Sequence, residues 1–197
     1  MRLYALEGFL ARLAVSSFAQ DLVLKGGVLL AAYATRRPTR DIDLEGLRLP
    51  NDVEHLLSVV AGIASVPQDD GLIFDLGTLR AETIRDSDDD VYSGVRIHLQ
   101  ADLATARLTI GIDISVGDPI IPAPQVVALP RLLVAEPVRL KGYPMTMVLA
   151  EKIITAVQRG KANTRWRDFA DIYLLIGRHD VEGQALATAL TGVAEYR

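Results

Sequence analysis

The stretch LVLKGGVLLAAYATRRPTRDIDLEG, residues 22–46, decides how this chain is read. Leu22-Val23-Leu24 is a short apolar run that fits a buried strand, and it leads directly into Lys25-Gly26-Gly27. Val28 to Ala34 is apolar and Ala-rich, which suits a short helix packed on a sheet. Thr35 to Thr39 contains Arg-Arg-Pro and reads as a loop. From Arg40 to Leu44 charged and apolar residues alternate. Asp41 and Asp43 fall on one face and Ile42 and Leu44 on the other, the period-two pattern of a half-buried strand.

Thirteen residues separate Gly27 from Asp41. Two carboxylates at i and i+2 of one strand repel each other and raise one pKa. A bound Mg²⁺ or Mn²⁺ relieves that repulsion, because such ions take hard oxygen ligands and bridge to substrate phosphates. Gly26 and Gly27 let backbone approach a triphosphate without side-chain obstruction, at the start of a helix whose dipole favours anions. A two-metal site needs a further carboxylate, and Gly111-Ile112-Asp113-Ile114-Ser115 offers Asp113 on a later strand. The expected metal ligands are therefore Asp41, Asp43 and Asp113. A pair of aspartates or of glycines alone is commonplace; the specificity lies in their order and spacing.

Outward from this core, the chain has 197 residues and no cysteine, so disulfides, thiolate zinc sites and cysteine nucleophiles are excluded. In the N-terminal segment Glu7 and Arg12 interrupt the apolar residues. Leu3, Leu6, Leu10, Leu13 and Ala14 recur at helical spacing, which favours an amphipathic helix over a signal peptide. No apolar run approaches the roughly 20 residues that span a bilayer. A cytoplasmic protein without a membrane partner is expected. The formal net charge is −4, but its distribution is uneven. Arg36, Arg37 and Arg40 cluster, as do Lys152, Arg159, Lys161, Arg165 and Arg167. Acidic residues concentrate in Asp86 and Asp88–Asp90.

The rest of the chain reads as a helix from Asn51 or Asp52 to about Ala64, then strands over 72–75, 79–85, 91–100 and 108–115. Asp86–Asp90 forms a polar hairpin connection. Pro119, Pro122 and Pro124 mark an irregular linker, followed by short strands at 131–134 and 138–140. Helices are predicted from Pro144 to about Gln158, from Arg165 to Ile176 and from Val181 to Leu190. The fold class is α+β, with a catalytic sheet core over 1–118 and a linker and C-terminal helical subdomain over 119–197.

The stretch 22–46 resembles the GG–x–TxDxD signature of the AbiEii family of nucleotidyltransferase toxins. That family includes the MenT toxins and belongs to the DNA polymerase β nucleotidyltransferase superfamily. Leu149-Ala150-Glu151-Lys152 resembles the family's helical lysine motif. Arg165-Trp166-Arg167-Asp168-Phe169-Ala170-Asp171-Ile172-Tyr173 resembles its R-x-R/K-D-x-x-D-L/I-Y pattern, and Asp113 matches its third strand carboxylate. The likeness runs over roughly residues 22–175; the helical part after Ile176 is short for the family.

The resemblance implies a polymerase β-type mixed sheet with flanking helices. It implies that Lys152 contacts NTP phosphates and that Asp168 lies on the active-site rim, both joining Asp41 and Asp43 in the catalytic set. The implied reaction is transfer of an NMP, from CTP or UTP by preference, to the 3′ end of tRNA. That would block aminoacylation and translation. A separately encoded AbiEi-type antitoxin is the implied partner. Arg36, Arg37, Arg165 and Arg167 are read as RNA-binding, because two basic patches suit a polyanionic acceptor better than a small one. Trp166 is expected to pack between helices. Thr39, two residues before Asp41, is read as positioning the triphosphate and as a candidate phosphorylation site. A phosphate there would add roughly −1.5 to −2 charge beside Asp41 and Asp43. Two competing readings are a small-molecule nucleotidyltransferase of the antibiotic-modifying type and a catalytically idle RNA- or partner-binding protein.

Overall fold

A computed structural model describes residues 1–85, 92–160 and 166–196. The Asp86–Asp90 connection, Lys161 and Arg165 lie outside the described residues. Helix α1 (Arg2–Val15) comes first, followed by strand β1 (Leu22–Lys25) and the one-turn helix α2 (Gly26–Leu29), which continues as a 3₁₀ turn over Leu30–Tyr33. Then come β2 (Asp41–Gly46), α3 (Val53–Ala64), β3 (Leu72–Arg85), β4 (Tyr92–Leu103) and β5 (Ala106–Val116). Two further strands, β6 (Gln125–Leu129) and β7 (Val138–Gly142), precede α4 (Met145–Arg159), α5 (Trp166–Arg178) and α6 (Gly183–Tyr196).

The described strands form one seven-stranded sheet in the order β3-β4-β5-β2-β1-β7-β6. β2 pairs with β5, and β1 with β7, in parallel. The other neighbours are antiparallel. The sheet is therefore mixed and the class α+β. The two strands at its centre, β2 and β5, carry the aspartates singled out above. Helices α1 and α3 pack on the sheet, where Ile42, Leu44, Ile112 and Ile114 are fully buried together with Leu6, Phe9 and Leu10 of α1. Strand alternation puts Asp41, Asp43 and Asp113 on the opposite face. α3 begins as predicted, with the Asp52 carboxylate accepting the backbone N–H of His55 at 2.8 Å.

The structure departs from the sequence reading in several elements. Residues 72–85 form one long strand, not two. The apparent break at Leu76-Gly77-Thr78 is an irregularity in register between Asp75 and Arg80, with Asp75 accepting the N–H of Gly77 at 3.0 Å. Residues 131–134 are not a strand. The strand lies at 125–129, where Val127 and Leu129 are buried and Val126 is exposed, an alternation short enough to be lost behind the prolines. β6 and β7 thus join the same sheet as the first 118 residues. α6 runs six residues past the predicted Leu190. The Glu182 carboxylate accepts the N–H groups of Gln184 and Ala185 at its start. Trp166 is 69% exposed instead of packed between helices. Among the described residues no helix is long and apolar enough to cross a membrane.

Two charged residues sit deep in α1. Arg12 is 3% and Glu7 2% exposed. The Arg12 guanidinium makes a two-pronged contact with Asp70, at 2.6 and 3.0 Å, and also donates to the carbonyls of Gly8 and Leu72. Burial alone would raise the Asp70 pKa. The hydrogen bonds from Arg12 and the Leu72 N–H, with the Arg12 charge, outweigh that and lower it. Removing one partner of a buried ion pair leaves the other charge stranded, at a cost of about 3–5 kcal/mol. Asp70→Ala is accordingly expected to lose stability on that order in urea denaturation. In the wild type the stabilisation by Asp70 is present above its unfolded-state pKa and fades as pH falls through its lower folded-state value. That acid-limb slope should be reduced in Arg12→Met.

Candidate active site

The parallel β2–β5 ladder sets the geometry. Asp43 lies in register with Asp113, and Asp41 with Gly111. Both aspartates of β2 are accommodated by glycines. A Cβ on Gly111 would lie 2.4 Å from Asp41 Oδ1, and one on Gly26 would lie 2.0 Å from Asp43 Oδ2. Gly26 also has φ of +65°, in the left-handed region that side chains disfavour. The Gly27 N–H donates to Asp43 Oδ2 at 3.3 Å. Beyond approach to a phosphate, Gly26 makes room for the Asp43 carboxylate and Gly27 gives it a hydrogen bond.

Asp43 is a strained acid. Burial, and then the negative charge of Asp113, push its pKa up to about 6 against the help of the Gly27 N–H and the Lys25 ammonium; Asp41 pushes it further in the same direction. Asp113 has its own counterion. Arg96 of β4, opposite it in the ladder, donates through Nε at 2.8 Å and Nη2 at 2.6 Å in the two-pronged geometry that guanidinium and carboxylate favour. Asp43 remains opposed by like charge, from Asp113 first and Asp41 second.

Among the described residues no three His, Asp or Glu side chains gather closely enough to hold a metal ion by themselves. The donor set still fits one kind of ion. Mg²⁺ is ordinarily bound through one or two carboxylates, with substrate phosphates completing its shell. Asp41 and Asp43 supply that pair, and a cation would offset both the burial and the like charges that raise the Asp43 pKa.

Beside the aspartates lies a second polar cluster. Glu45, 1% exposed, continues the series Asp41, Asp43 along β2. Its Oε2 accepts from Lys25 Nζ at 2.9 Å and from Ser115 Oγ at 2.6 Å, and its Oε1 accepts from the Asp118 N–H at 3.0 Å. Lys25 also reaches Asp118 at 3.3 Å. This network locks the end of β1, just before the glycine pair, to β2 and β5.

The helical residues form a third cluster. Lys152 Nζ on α4 lies 2.7 Å from Asp168 Oδ1 and 2.8 Å from Asp171 Oδ2 on α5. Arg37 approaches the other oxygen of Asp171, Nε to Oδ1, at 3.2 Å. The structure thus gathers Lys152 and Asp168 with Arg37, a residue the sequence assigned to RNA. Arg36 is turned elsewhere, onto Glu7 at 2.8 Å and onto the Pro130 carbonyl. Arg167 lies over the Trp166 ring, 5.8 Å from its centre. Thr39 Oγ1 donates to the Asp41 carbonyl at 3.3 Å and lies 3.0 Å from where a Gly27 Cβ would be.

A profile described as the nucleotidyl transferase AbiEii toxin of a type IV toxin–antitoxin system matches residues 8–197. The chain belongs to the AbiEii nucleotidyltransferase toxin family. The family implies an antitoxin partner. Comparison with curated protein sequences gives no match. Solved structures share the fold. JHP933 from Helicobacter pylori is 17% identical with a TM-score of 0.60, over 91% of this chain and 68% of that one. The antibiotic-resistance factor ANT(2″)-Ia is 13% identical with a TM-score of 0.51, over 100% of this chain and 94% of that one.

Sequence reasoning passed over Lys25, Glu45, Arg96 and Ser115. Glu45 was detectable, as the next residue of the same strand face after Asp41 and Asp43. Arg96 was not, because its role depends on the β4–β5 register.

In this AbiEii-family chain, Gly26→Ala should displace the Asp43 carboxylate and strain the turn. The expected result is loss of nucleotidyl transfer and at least about 1 kcal/mol of stability. Gly177→Ala, on α5 with no neighbour among the described residues within 4 Å of the added Cβ, should keep both. Thermal unfolding and transfer assays on the two variants check this.

Proposed function

We propose that this chain is a metal-dependent enzyme that transfers an NMP, from CTP or UTP by preference, to the 3′ end of tRNA. Modified at that end, the tRNA would no longer be aminoacylated and translation would stop. An AbiEi-type antitoxin would counter it, with cytoplasmic tRNA as the target. The observation that carries the reading is the half-buried Asp41–Asp43 pair beside a glycine turn, in a chain of the AbiEii family.

In the reaction, the terminal hydroxyl of the RNA would attack the α-phosphorus of the NTP. A new oxygen–phosphorus bond forms, the bond to the β-phosphate bridging oxygen breaks, pyrophosphate leaves, and the hydroxyl proton passes to a base. Asp41 and Asp43 would hold Mg²⁺ or Mn²⁺, which supplies charge neutralisation for the triphosphate. Gly27 would present its backbone to the phosphates, and Lys152 would offer a point charge. Asp113, in register with Asp43 and paired with Arg96, would be the third carboxylate of the metal site. Thr39, against Gly27, would border the triphosphate, and a phosphate attached to its hydroxyl would crowd the same space. Arg36, Arg165 and Arg167 would contact the RNA backbone, which positions a nucleic acid and makes its binding salt-sensitive.

The test is direct. Incubated with each labelled NTP, Mg²⁺ and total RNA, the protein should label tRNA, most strongly with CTP or UTP. Asp41→Ala and Asp43→Ala should each lower the rate on the order of 10³-fold or more while remaining folded. Full turnover in a folded Asp43→Ala variant would overturn the metal assignment. Labelling of an aminoglycoside-like small molecule in place of RNA would favour the antibiotic-type reading.

A further inference from the structure

Asp171 is 2% exposed, and both of its oxygens face cations that arrive from different parts of the chain. Oδ2 takes Lys152 Nζ of α4 at 2.8 Å. Oδ1 lies 3.2 Å from Nε of Arg37, in the loop between the 3₁₀ turn and β2. That N–H misses the alignment of a hydrogen bond, so the Arg37 contact is an ion pair. On its other side Arg37 meets the glycine turn: Nη2 lies 3.2 Å from where a Gly27 Cβ would sit. Gly27 in turn donates its N–H to Asp43. One carboxylate on the helical part thus connects the lysine on α4, the arginine loop and the turn beside the aspartate pair.

We propose that Asp171 is a positioning residue for nucleotide binding, a clasp that holds Lys152 and Arg37 together beside Gly27 so that both cations meet the triphosphate, and that Arg37 serves the NTP and not the RNA. The proposal rests on the nucleotidyl-transfer reading above. Its physical basis is donor geometry. A guanidinium carries five N–H donors in a rigid fork and an ammonium carries three. Among the described residues the clasp occupies the Nε edge of Arg37 and leaves the Nη edge at the glycine turn. Lys152 spends two donors, on Asp168 and Asp171, and keeps one. A buried carboxylate also fixes two long side chains that would otherwise lose rotamer freedom on meeting a ligand. Gly27 has no side chain where Arg37 approaches, which lets the Nη edge of the fork come close to the turn.

The experiment uses the full chain as wild type, Asp171→Asn, Arg37→Met and the double variant. Affinity for each of the four Mg²⁺–NTPs is measured by calorimetry, and KM and kcat by labelling of total RNA. Asp171→Asn keeps the side-chain shape. It and Arg37→Met should each raise the Kd and KM for NTP about tenfold or more, with kcat at saturating NTP changed less than about threefold. The double variant should bind no more than about twofold worse than the weaker single variant, since the two changes break one assembly. Arg37→Lys, on a loop and safe for folding, keeps the charge but loses the fork, and should fall between Arg37→Met and wild type. It carries the test if Asp171→Asn does not fold. Wild-type NTP affinity in folded Asp171→Asn or in Arg37→Lys and Arg37→Met overturns the clasp. So does multiplicative weakening in the double variant, or an Arg37→Met protein that binds NTP normally but labels RNA poorly. A wild-type protein that binds no NTP overturns the nucleotidyl-transfer reading itself, a result separate from all of these.

Discussion

Asp43 and Asp113 lie side by side across the parallel β2–β5 pair, and half-burying two like charges in adjacent strands is unfavourable unless something offsets it. Much of the surrounding structure does so. Arg96 neutralises Asp113 from the neighbouring strand. Gly26 leaves the space that Asp43 occupies, Gly27 gives it a hydrogen bond, and Lys25, in register with it on β1, brings positive charge near. The compensation is incomplete, since the Asp43 pKa still stands at about 6. The remaining cost of burial and repulsion makes the site receptive to a cation, and it is why a divalent ion arriving with a triphosphate is the natural ligand.

The same logic explains why the polar face is layered. Glu45 is buried and fully engaged by Lys25, Ser115 and the Asp118 amide, so it is a structural brace and not a further open ligand. Asp41 and Asp43 come next along the strand, nearest the glycines. Beyond them Asp168 and Asp171 are tied to Lys152 and Arg37. Glu45, Asp113, Asp168 and Asp171 each have a cation or a set of donors close against them. Asp43 in particular keeps a raised pKa despite the Gly27 N–H and Lys25, and chemistry is expected where the protein leaves charge incompletely compensated.

The central strands and the aspartates were legible in the sequence because they depend on local alternation: Asp41, Ile42, Asp43 and Leu44 state their own faces. α1 and α3 were equally legible, from the spacing of Leu6, Leu10 and Leu13 and from the Asp52 cap. What could not be read was whatever depends on register between distant segments. Arg96 meets Asp113 only because β4 and β5 pair as they do, and Arg37 meets Asp171 only because α5 folds back against the loop. β6 was hidden for another reason, since a five-residue edge strand among prolines carries too little pattern to stand out. Trp166 was misplaced because an aromatic residue at helical spacing usually points to a core, whereas here it lies on the solvent side of α5.

The account turns on Asp43 being a half-buried carboxylate that a cation relieves. The most direct measurement is the titration of its carboxyl carbon by NMR in the protein labelled on aspartate, without and with Mg²⁺ and a non-hydrolysable NTP analogue, assigned through Asp43→Asn. The account predicts a midpoint near 6 without metal and a clear fall in that midpoint when metal and nucleotide are present. A midpoint at the ordinary aspartate value of about 3.9, unmoved by metal and nucleotide, would contradict it.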